Sequence, residues 1–120
     1  MLKLFFYVLL VFLQSPVIQD INKDQVNSLI NDKVTVIDLR TEKEFENGKI
    51  GSSLNIDFQK REFIDNLNKL DKEKPYIIYC MSGNRSLKAS HVMKSLGFKM
   101  IYHYKKGYKD WIKNLSLIHI

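Results

Sequence analysis

The chain has 120 residues, of which 45% are hydrophobic and 27% are charged, and its formal net charge is +6. That size supports one small globular domain with a modest core and leaves no room for a second. The lysines are scattered without a zinc-finger, homeodomain or aromatic RNA-binding signature, so we expect a solvated basic surface and no nucleic-acid partner.

The first residues have the pattern of a secretory signal. A single charge, Lys3, precedes an uninterrupted apolar run from Leu4 to Leu13. A run of this length matches the hydrophobic region of a signal peptide and is shorter than the roughly 20 residues that span a bilayer. We therefore predict that residues 1–18 direct export to the periplasm or the exterior, with a retained membrane anchor as the alternative. A buried N-terminal helix or strand is a third interpretation of the same run.

From residue 20 onward, periodic apolar patterns predict alternating helices and strands. Asp24 is expected to cap a first short helix, and Thr41 and Glu44 have the spacing of a capping box that begins a second. Further helices are predicted over residues 63–70, over residues 85–97 with Leu87 on the apolar face, and from residue 107. Strands are predicted over residues 34–39, 53–56, 76–79 and 99–104. This alternation indicates an α/β fold, a small parallel sheet with helices on both faces.

One predicted strand ends at the only cysteine of the chain, Cys80. A buried parallel strand over residues 76–79 delivers that thiol to the carboxyl edge of the sheet, where open α/β folds bind their ligands. The following glycine lets backbone N–H groups turn toward a common centre, and the next helix begins at an arginine. Such surroundings bind anions and lower the pKa of a thiol. We predict a nucleophilic Cys80 in an anion-binding loop whose other members are Met81, Ser82, Gly83, Asn84 and Arg85.

This stretch resembles the active-site loop of the rhodanese-like domains, which runs from cysteine to arginine with glycine in fourth place. The similarity covers roughly residues 20–114, and residues 115–120 are a tail beyond it. The matching segments follow the family's order and spacing: residues 36–40, 44–45, 48–50, 55–56, 79–80, 82–86, 89, 96–98, 107 and 111.

The resemblance implies a rhodanese-like fold and sulfur transfer of the thiosulfate:cyanide type. The Cys80 thiolate would attack the outer sulfur of a small anionic donor such as thiosulfate and become a persulfide. Arg85 and the loop amides would stabilise the negative charge as sulfite leaves. Cyanide, a small thiol or a protein thiol would then accept the sulfur.

The resemblance also bears on residues around the thiol. In the family, Asp38 and Arg40 are mainly structural, and here we expect them to form an ion-pair network with Glu42 and Glu44. A side chain in place of Gly83 is expected to intrude into the anion site.

No metal or other cofactor is expected. His91 and His103 lack a second ligand at metal spacing, so we interpret them as helix-face and strand-end residues. Because Cys80 is the only thiol, no internal disulfide can form and turnover needs an external acceptor or reductant.

Two alternatives stay open. The cell-cycle phosphatases share this fold but enclose five residues between cysteine and arginine, a wider loop that fits a phosphate ester. Cys80 and Arg85 enclose four, which favours sulfur chemistry over phosphatase or arsenate-reductase activity. A non-catalytic binding module is the second alternative; inactive members of the family commonly lack the cysteine that is present here.

Overall fold

A computed structural model describes residues 17–113 of the chain. The strands are β1 (Ile18–Ile21), β2 (Thr35–Asp38), β3 (Leu54–Asn55), β4 (Tyr76–Tyr79) and β5 (Ile101–Tyr104). The helices are α1 (Lys23–Asn31), α2 (Glu42–Glu46), α3 (Phe63–Asn68), α4 (Asn84–Ser95) and α5 (Gly107–Trp111). The strands form one sheet in the order β1-β5-β4-β2-β3, and every neighbouring pair is parallel.

Helices cover both faces of this sheet, as predicted. Successive side chains of a strand point to opposite faces, so the sheet packs against two hydrophobic clusters, one on each face. One cluster packs the sheet against α3 and α4 and includes Ile37, Phe63, Leu67, Ile78, Ala89, Met93 and Ile101. The other packs the sheet against α1 and α5 and includes Val26, Val36, Ile77, Tyr79 and Tyr104, with Trp111 at its margin.

Strand β4 lies at the centre of the sheet, between β5 and β2. Its four residues are all buried, because both edges pair with strands and both faces pack against helices. The predicted buried strand is confirmed, and its carboxyl end delivers Cys80 to the middle of one sheet edge.

Strand β1 was not predicted from the sequence, and it begins before the predicted domain boundary at residue 20. Its sequence, IQDI, offers too short an apolar pattern to be recognised, and its pairing with β5 is the information that defines it. The cap of α1 was also predicted wrongly. Asn22 rather than Asp24 is the N-cap, because β1 ends at Ile21 and the chain turns there. Asn22 and Gln25 exchange two hydrogen bonds of 2.9 Å in a capping box.

The inward face of α4 also differs from the prediction. Leu87 was expected to be buried, yet it is 50% exposed. The buried positions are Ser86, Ala89, Ser90 and Met93, whose i, i+3, i+4, i+7 spacing places them on one side of the helix. The face that packs on the sheet therefore includes hydroxyl groups, one of which lies next to the active-site candidate.

The predicted N-terminal signal or anchor lies outside the described residues except for Val17 and Ile18, and the predicted tail of residues 115–120 lies outside them entirely. Within residues 17–113, no helix is long and apolar enough to cross a membrane.

Candidate active site

Residues 80–86, here called the cysteine loop, wrap around the sulfur of Cys80. Its Sγ accepts a hydrogen bond from the Gly83 N–H at 3.2 Å and another from the Ser86 N–H at 3.4 Å. Only 1% of Cys80 is exposed. The loop therefore directs N–H dipoles at the position where a thiolate carries its charge.

Two carbonyl groups of the cysteine loop, those of Cys80 and Met81, accept hydrogen bonds from α5. The Tyr108 N–H donates to the Cys80 carbonyl at 2.9 Å, and the Lys109 N–H donates to the Met81 carbonyl at 3.1 Å. Gly107 makes this approach possible. Its φ is +71°, and a Cβ there would lie 2.6 Å from the Cys80 oxygen and 2.5 Å from the Met81 oxygen. From the sequence, Gly107 was predicted only to begin a helix; its place against the loop depends on tertiary packing.

Gly83 is required for a different reason from the one predicted. Its φ is +97°, and a Cβ would lie 2.5 Å from the carbonyl oxygen of Lys105, on the strand side of the loop. The expectation that a side chain would enter the anion site is therefore wrong. A side chain at position 83 would instead collide with the backbone carbonyl of Lys105, directly after β5.

The guanidinium of Arg85 is held by Glu44 in a bidentate ion pair. Nη1 lies 2.8 Å from Oε1, and Nη2 lies 3.2 Å from Oε2. The hydrogen bond from Arg85 is the largest influence on Glu44 and lowers its pKa to about 2, with help from Thr41 and against the effect of burial. Glu44 neutralises the charge of Arg85, and the groups that donate directly to the Cys80 sulfur are the backbone N–H groups of Gly83 and Ser86.

Asp38 and Arg40 form a separate, buried ion pair. Arg40 Nη2 lies 2.6 Å from Asp38 Oδ2, and the pair is satisfied further by the Tyr79 hydroxyl, which donates to the same oxygen at 2.6 Å. The predicted network with both glutamates is wrong: Glu44 binds Arg85, and Glu42 pairs with the exposed Lys60. A buried pair must saturate its hydrogen bonds locally, and Arg40 does so with Asp38 and the Gly48 carbonyl. The Arg40 guanidinium also lies over the ring of Tyr108, so the ion pair of Asp38 and Arg40 packs against α5.

The thiol of Cys80 has a lowered pKa. Burial, the largest single influence, raises it, but hydrogen bonding with the Ser86 side chain and with the loop N–H groups together lowers it below its ordinary value. The Ser86 Oγ lies 3.3 Å from Sγ. The arrangement therefore favours the thiolate, the nucleophilic form.

The rest of the cysteine loop forms its rim. Ser82 and Asn84 are exposed and Met81 is half-buried, so all three side chains are available to a bound anion or an incoming acceptor. Among residues 17–113, no group of three or more histidine, cysteine, aspartate and glutamate side chains is arranged to hold a metal ion.

A buried cysteine at the carboxyl end of a central parallel strand, within a glycine-bearing loop of N–H donors, defines an α/β domain suited to nucleophilic attack on an anion. Residues 22–114 match the family model described as the Rhodanese-like domain. The chain belongs to this family, which confirms the resemblance seen in its sequence.

Individual relatives carry different names. The chain is 42% identical over 92 residues to a tRNA uridine(34) hydroxylase of Pelagibacter ubique, an overlap of 75% of this chain and 31% of that protein. It is 33% identical over 101 residues to the mouse thiosulfate sulfurtransferase/rhodanese-like domain-containing protein 3, covering 73% of this chain and 64% of that one. The chain thus spans about a third of the length of the hydroxylase.

Solved structures share the fold. A rhodanese-related protein from Thermoplasma volcanium superposes with a TM-score of 0.70 at 29% identity, covering 80% of this chain and 92% of that one. The human single-domain sulfurtransferase TSTD1 superposes with a TM-score of 0.66 at 23% identity, covering 78% and 95% of the two chains.

Proposed function

We propose that this domain is a sulfurtransferase that carries a sulfane sulfur on Cys80 as a persulfide. The proposal rests on the position of Sγ, which accepts hydrogen bonds from the N–H groups of Gly83 and Ser86. The loop around it has four residues between Cys80 and Arg85. Membership of the Rhodanese-like domain family supports sulfur chemistry at this loop.

In the first half-reaction, the Cys80 thiolate attacks the outer sulfur of a donor such as thiosulfate. A new S–S bond forms to Sγ, the S–S bond of the donor breaks, and sulfite leaves with the bonding electron pair. The N–H groups of the cysteine loop stabilise the negative charge that spreads over both sulfurs in the transition state.

In the second half-reaction, an acceptor takes the outer sulfur. Cyanide, a small thiolate or a protein thiolate attacks it, the persulfide S–S bond breaks, and Cys80 leaves as the thiolate that began the cycle. Because Cys80 is the only cysteine in the chain, the acceptor comes from outside it.

Intact-mass spectrometry with thiosulfate tests this proposal. Reduced protein should gain the mass of one sulfur atom, and cyanide should remove that mass and release thiocyanate. The matched control is Cys80→Ser, which removes the only thiol and should gain nothing. If folded wild-type protein with reduced Cys80 takes no sulfur from thiosulfate, polysulfide or a small persulfide, the sulfurtransferase proposal is rejected.

An aryl phosphate incubated with the same two proteins tests the phosphatase alternative. We expect no Cys80-dependent hydrolysis, since a loop with four enclosed residues is narrower than that of the phosphatases. Turnover that disappears in Cys80→Ser would favour phosphoryl transfer instead.

A second candidate follows from the relative that is 42% identical over 92 residues and is named a tRNA uridine(34) hydroxylase. Under this candidate the domain acts on tRNA, for which the net charge of +6 would favour association. Nucleoside mass spectrometry tests it on tRNA incubated with the full chain, dioxygen as the oxidant and a small thiol that supplies the two electrons needed to reduce the second oxygen atom to water. Hydroxylated uridine that depends on Cys80 would support tRNA modification over small-molecule sulfur transfer.

We also propose that residues 1–18 export the protein or anchor it to a membrane; the support is the apolar run from Leu4 to Leu13. Cell fractionation of the full chain beside a Leu9→Arg variant tests this, because one charge in the apolar run should retain the protein in the cytoplasm. An unchanged distribution would contradict it.

A further inference from the structure

A continuous line of polar groups leads from the Cys80 thiol to the protein surface. Sγ lies 3.3 Å from Ser86 Oγ, and Ser86 Oγ lies 2.7 Å from His103 Nε2. On the other side of the imidazole, His103 Nδ1 lies 3.2 Å from Asp20 Oδ1. Four residues from three separate parts of the sequence thus form one chain of hydrogen bonds.

The fold explains this alignment. Asp20 of β1 and His103 of β5 are direct partners in the parallel register, so their side chains lie side by side on one face of the sheet. Ser86 occupies the inward side of α4, which packs on that same face. His103 is 1% exposed, whereas the side chain of Asp20 is 63% exposed. The line therefore begins in the buried loop and ends at water.

The partners determine which nitrogen of His103 carries the proton. The Asp20 carboxylate can only accept, so it favours the tautomer with hydrogen on Nδ1 and leaves a lone pair on Nε2. The Ser86 hydroxyl has two acceptors in reach, Nε2 at 2.7 Å and the Gly83 carbonyl at 3.2 Å, and the shorter distance favours Nε2. The Ser86 oxygen is then free to accept the S–H of Cys80.

We propose that Ser86, His103 and Asp20 form a proton relay that takes the proton of Cys80 when the thiolate is generated and returns it after sulfur transfer. The S–H proton passes to the Ser86 oxygen as the Ser86 hydroxyl proton passes to Nε2. The products are a thiolate and an imidazolium, with no net change of charge or oxidation state. Ser86 contacts the reacting sulfur directly, whereas His103 and Asp20 act through it and are positioning residues.

The charged groups around His103 are consistent with this role. Burial is the largest influence on its pKa and lowers it, Asp20 opposes that effect, and Lys105 and His91 reinforce it. These influences favour the neutral imidazole, which leaves the lone pair on Nε2 for the Ser86 hydroxyl. A cavity of about 160 Å³, lined in part by Asp20, Gly83, His103 and Lys105, gives the imidazole a route for proton exchange with solvent.

This inference concerns how the proposed sulfurtransferase site is activated, and its test does not depend on sulfur transfer. The rate at which iodoacetamide alkylates Cys80, measured against pH in the full chain, reports the thiolate directly. His103→Gln can still accept from Ser86 but cannot take up a proton. We expect its alkylation midpoint to rise by about one pH unit, which is about a tenfold slower reaction at pH 7.

Asp20→Asn keeps the imidazole and removes the charge that orients it, so a smaller rise of the midpoint is expected. The matched control is Asp24→Asn, which loses the same charge from an exposed position of α1 and should leave the midpoint unchanged. Melting curves accompany each variant, because a merely structural His103 would change stability without moving the midpoint.

Wild-type midpoints in both His103→Gln and Asp20→Asn would overturn the relay. If His103→Gln does not fold, the exposed Asp20→Asn decides alone. A shifted midpoint in protein that accepts no sulfur from any donor would instead reject the sulfurtransferase function and leave the relay intact.

Discussion

At the scale of single residues, two glycines share a left-handed backbone but differ in their surroundings. Gly83 has φ +97°, and a Cβ added there would meet the Lys105 carbonyl. Gly97 has φ +96°, and a Cβ added there would have no contact within 4 Å beyond its chain neighbours. Gly97→Ala should therefore cost about 1 kcal/mol for the backbone conformation alone. Gly83→Ala should cost a further 1–3 kcal/mol, approximately, for the collision.

Urea unfolding of the two alanine variants measures this difference, and alkylation of Cys80 shows whether the cysteine loop has shifted. Equal losses of unfolding free energy would mean that the backbone after β5 yields to the new side chain. The loop would then be held less firmly than its contacts with α5 and β5 indicate.

The ion pair between Glu44 and Arg85 makes stability depend on pH. The folded protein lowers the pKa of Glu44 from 4.5 to about 2, so the stabilisation is complete above pH 4.5 and is lost as the pH falls toward 2. Glu44→Gln keeps the hydrogen bond of the capping box but removes the charge. The Glu44 and Arg85 side chains are partly exposed, so we expect the unfolding free energy of wild type to exceed that of Glu44→Gln by about 1–2 kcal/mol at pH 7.

Chemical unfolding at several pH values tests that prediction, with Glu46→Gln as the control from an exposed position of the same helix. The advantage of wild type over Glu44→Gln should shrink to nearly zero at pH 2. An advantage that is constant with pH would show that the carboxylate charge is not its source.

The sequence and the structure agree best where function depends on neighbouring residues. The reason why Gly83 is required was predicted wrongly, but the cysteine loop is contiguous, so the position of Cys80 at the end of a buried strand could be predicted from the residue pattern. The partners of Ser86 could not, because His103 is 17 residues away from Ser86 and Asp20 is 83 residues away from His103. Only the packing of α4 on the sheet shows that His103 lies beside the Ser86 hydroxyl, and only the register of β1 and β5 places Asp20 beside His103.

At the scale of elements, the same limit explains the error at α1. Two polar residues, Asn22 and Asp24, are both suitable caps by composition, and the sequence contains no marker for the end of β1. The capping box of α2 was predicted correctly, because Thr41 has few competitors nearby. Helix starts are thus predictable where one polar residue stands alone, and they depend on tertiary structure where several are adjacent.

Alanine substitution distinguishes the two candidate caps of α1. Asn22→Ala removes the acceptor of the Gln25 N–H and should cost about 1 kcal/mol of unfolding free energy. Asp24→Ala removes only a favourable charge in the first turn and should cost less than about half of that. Thermal unfolding of both variants provides the comparison, and a larger loss in Asp24→Ala would return the cap to the position predicted from the sequence.

At the scale of the whole molecule, the strands differ in pairing and burial between the centre of the sheet and its edges. Strand β4 pairs on both sides and is buried at all four residues, whereas β1 pairs only with β5 and β3 contributes two residues at the opposite edge. Edge strands open locally at a lower free energy than a buried central strand, which exchanges only when the domain unfolds. Cys80, the proposed nucleophile, therefore follows the most buried strand, whereas Asp20, the outer end of the proposed relay, lies on an edge strand.

Amide hydrogen exchange followed by NMR tests this gradient. The amides of Ile77 and Ile78 should be among the slowest in residues 17–113, and paired amides of β1 should exchange at least roughly tenfold faster. Equal protection of β1 and β4 would show that the sheet opens as a unit. If the gradient is present, opening of β1 removes Asp20 from His103 while β4 still holds Cys80 in place. Proton uptake by the relay would then be sensitive to conditions that leave the cysteine loop itself unchanged.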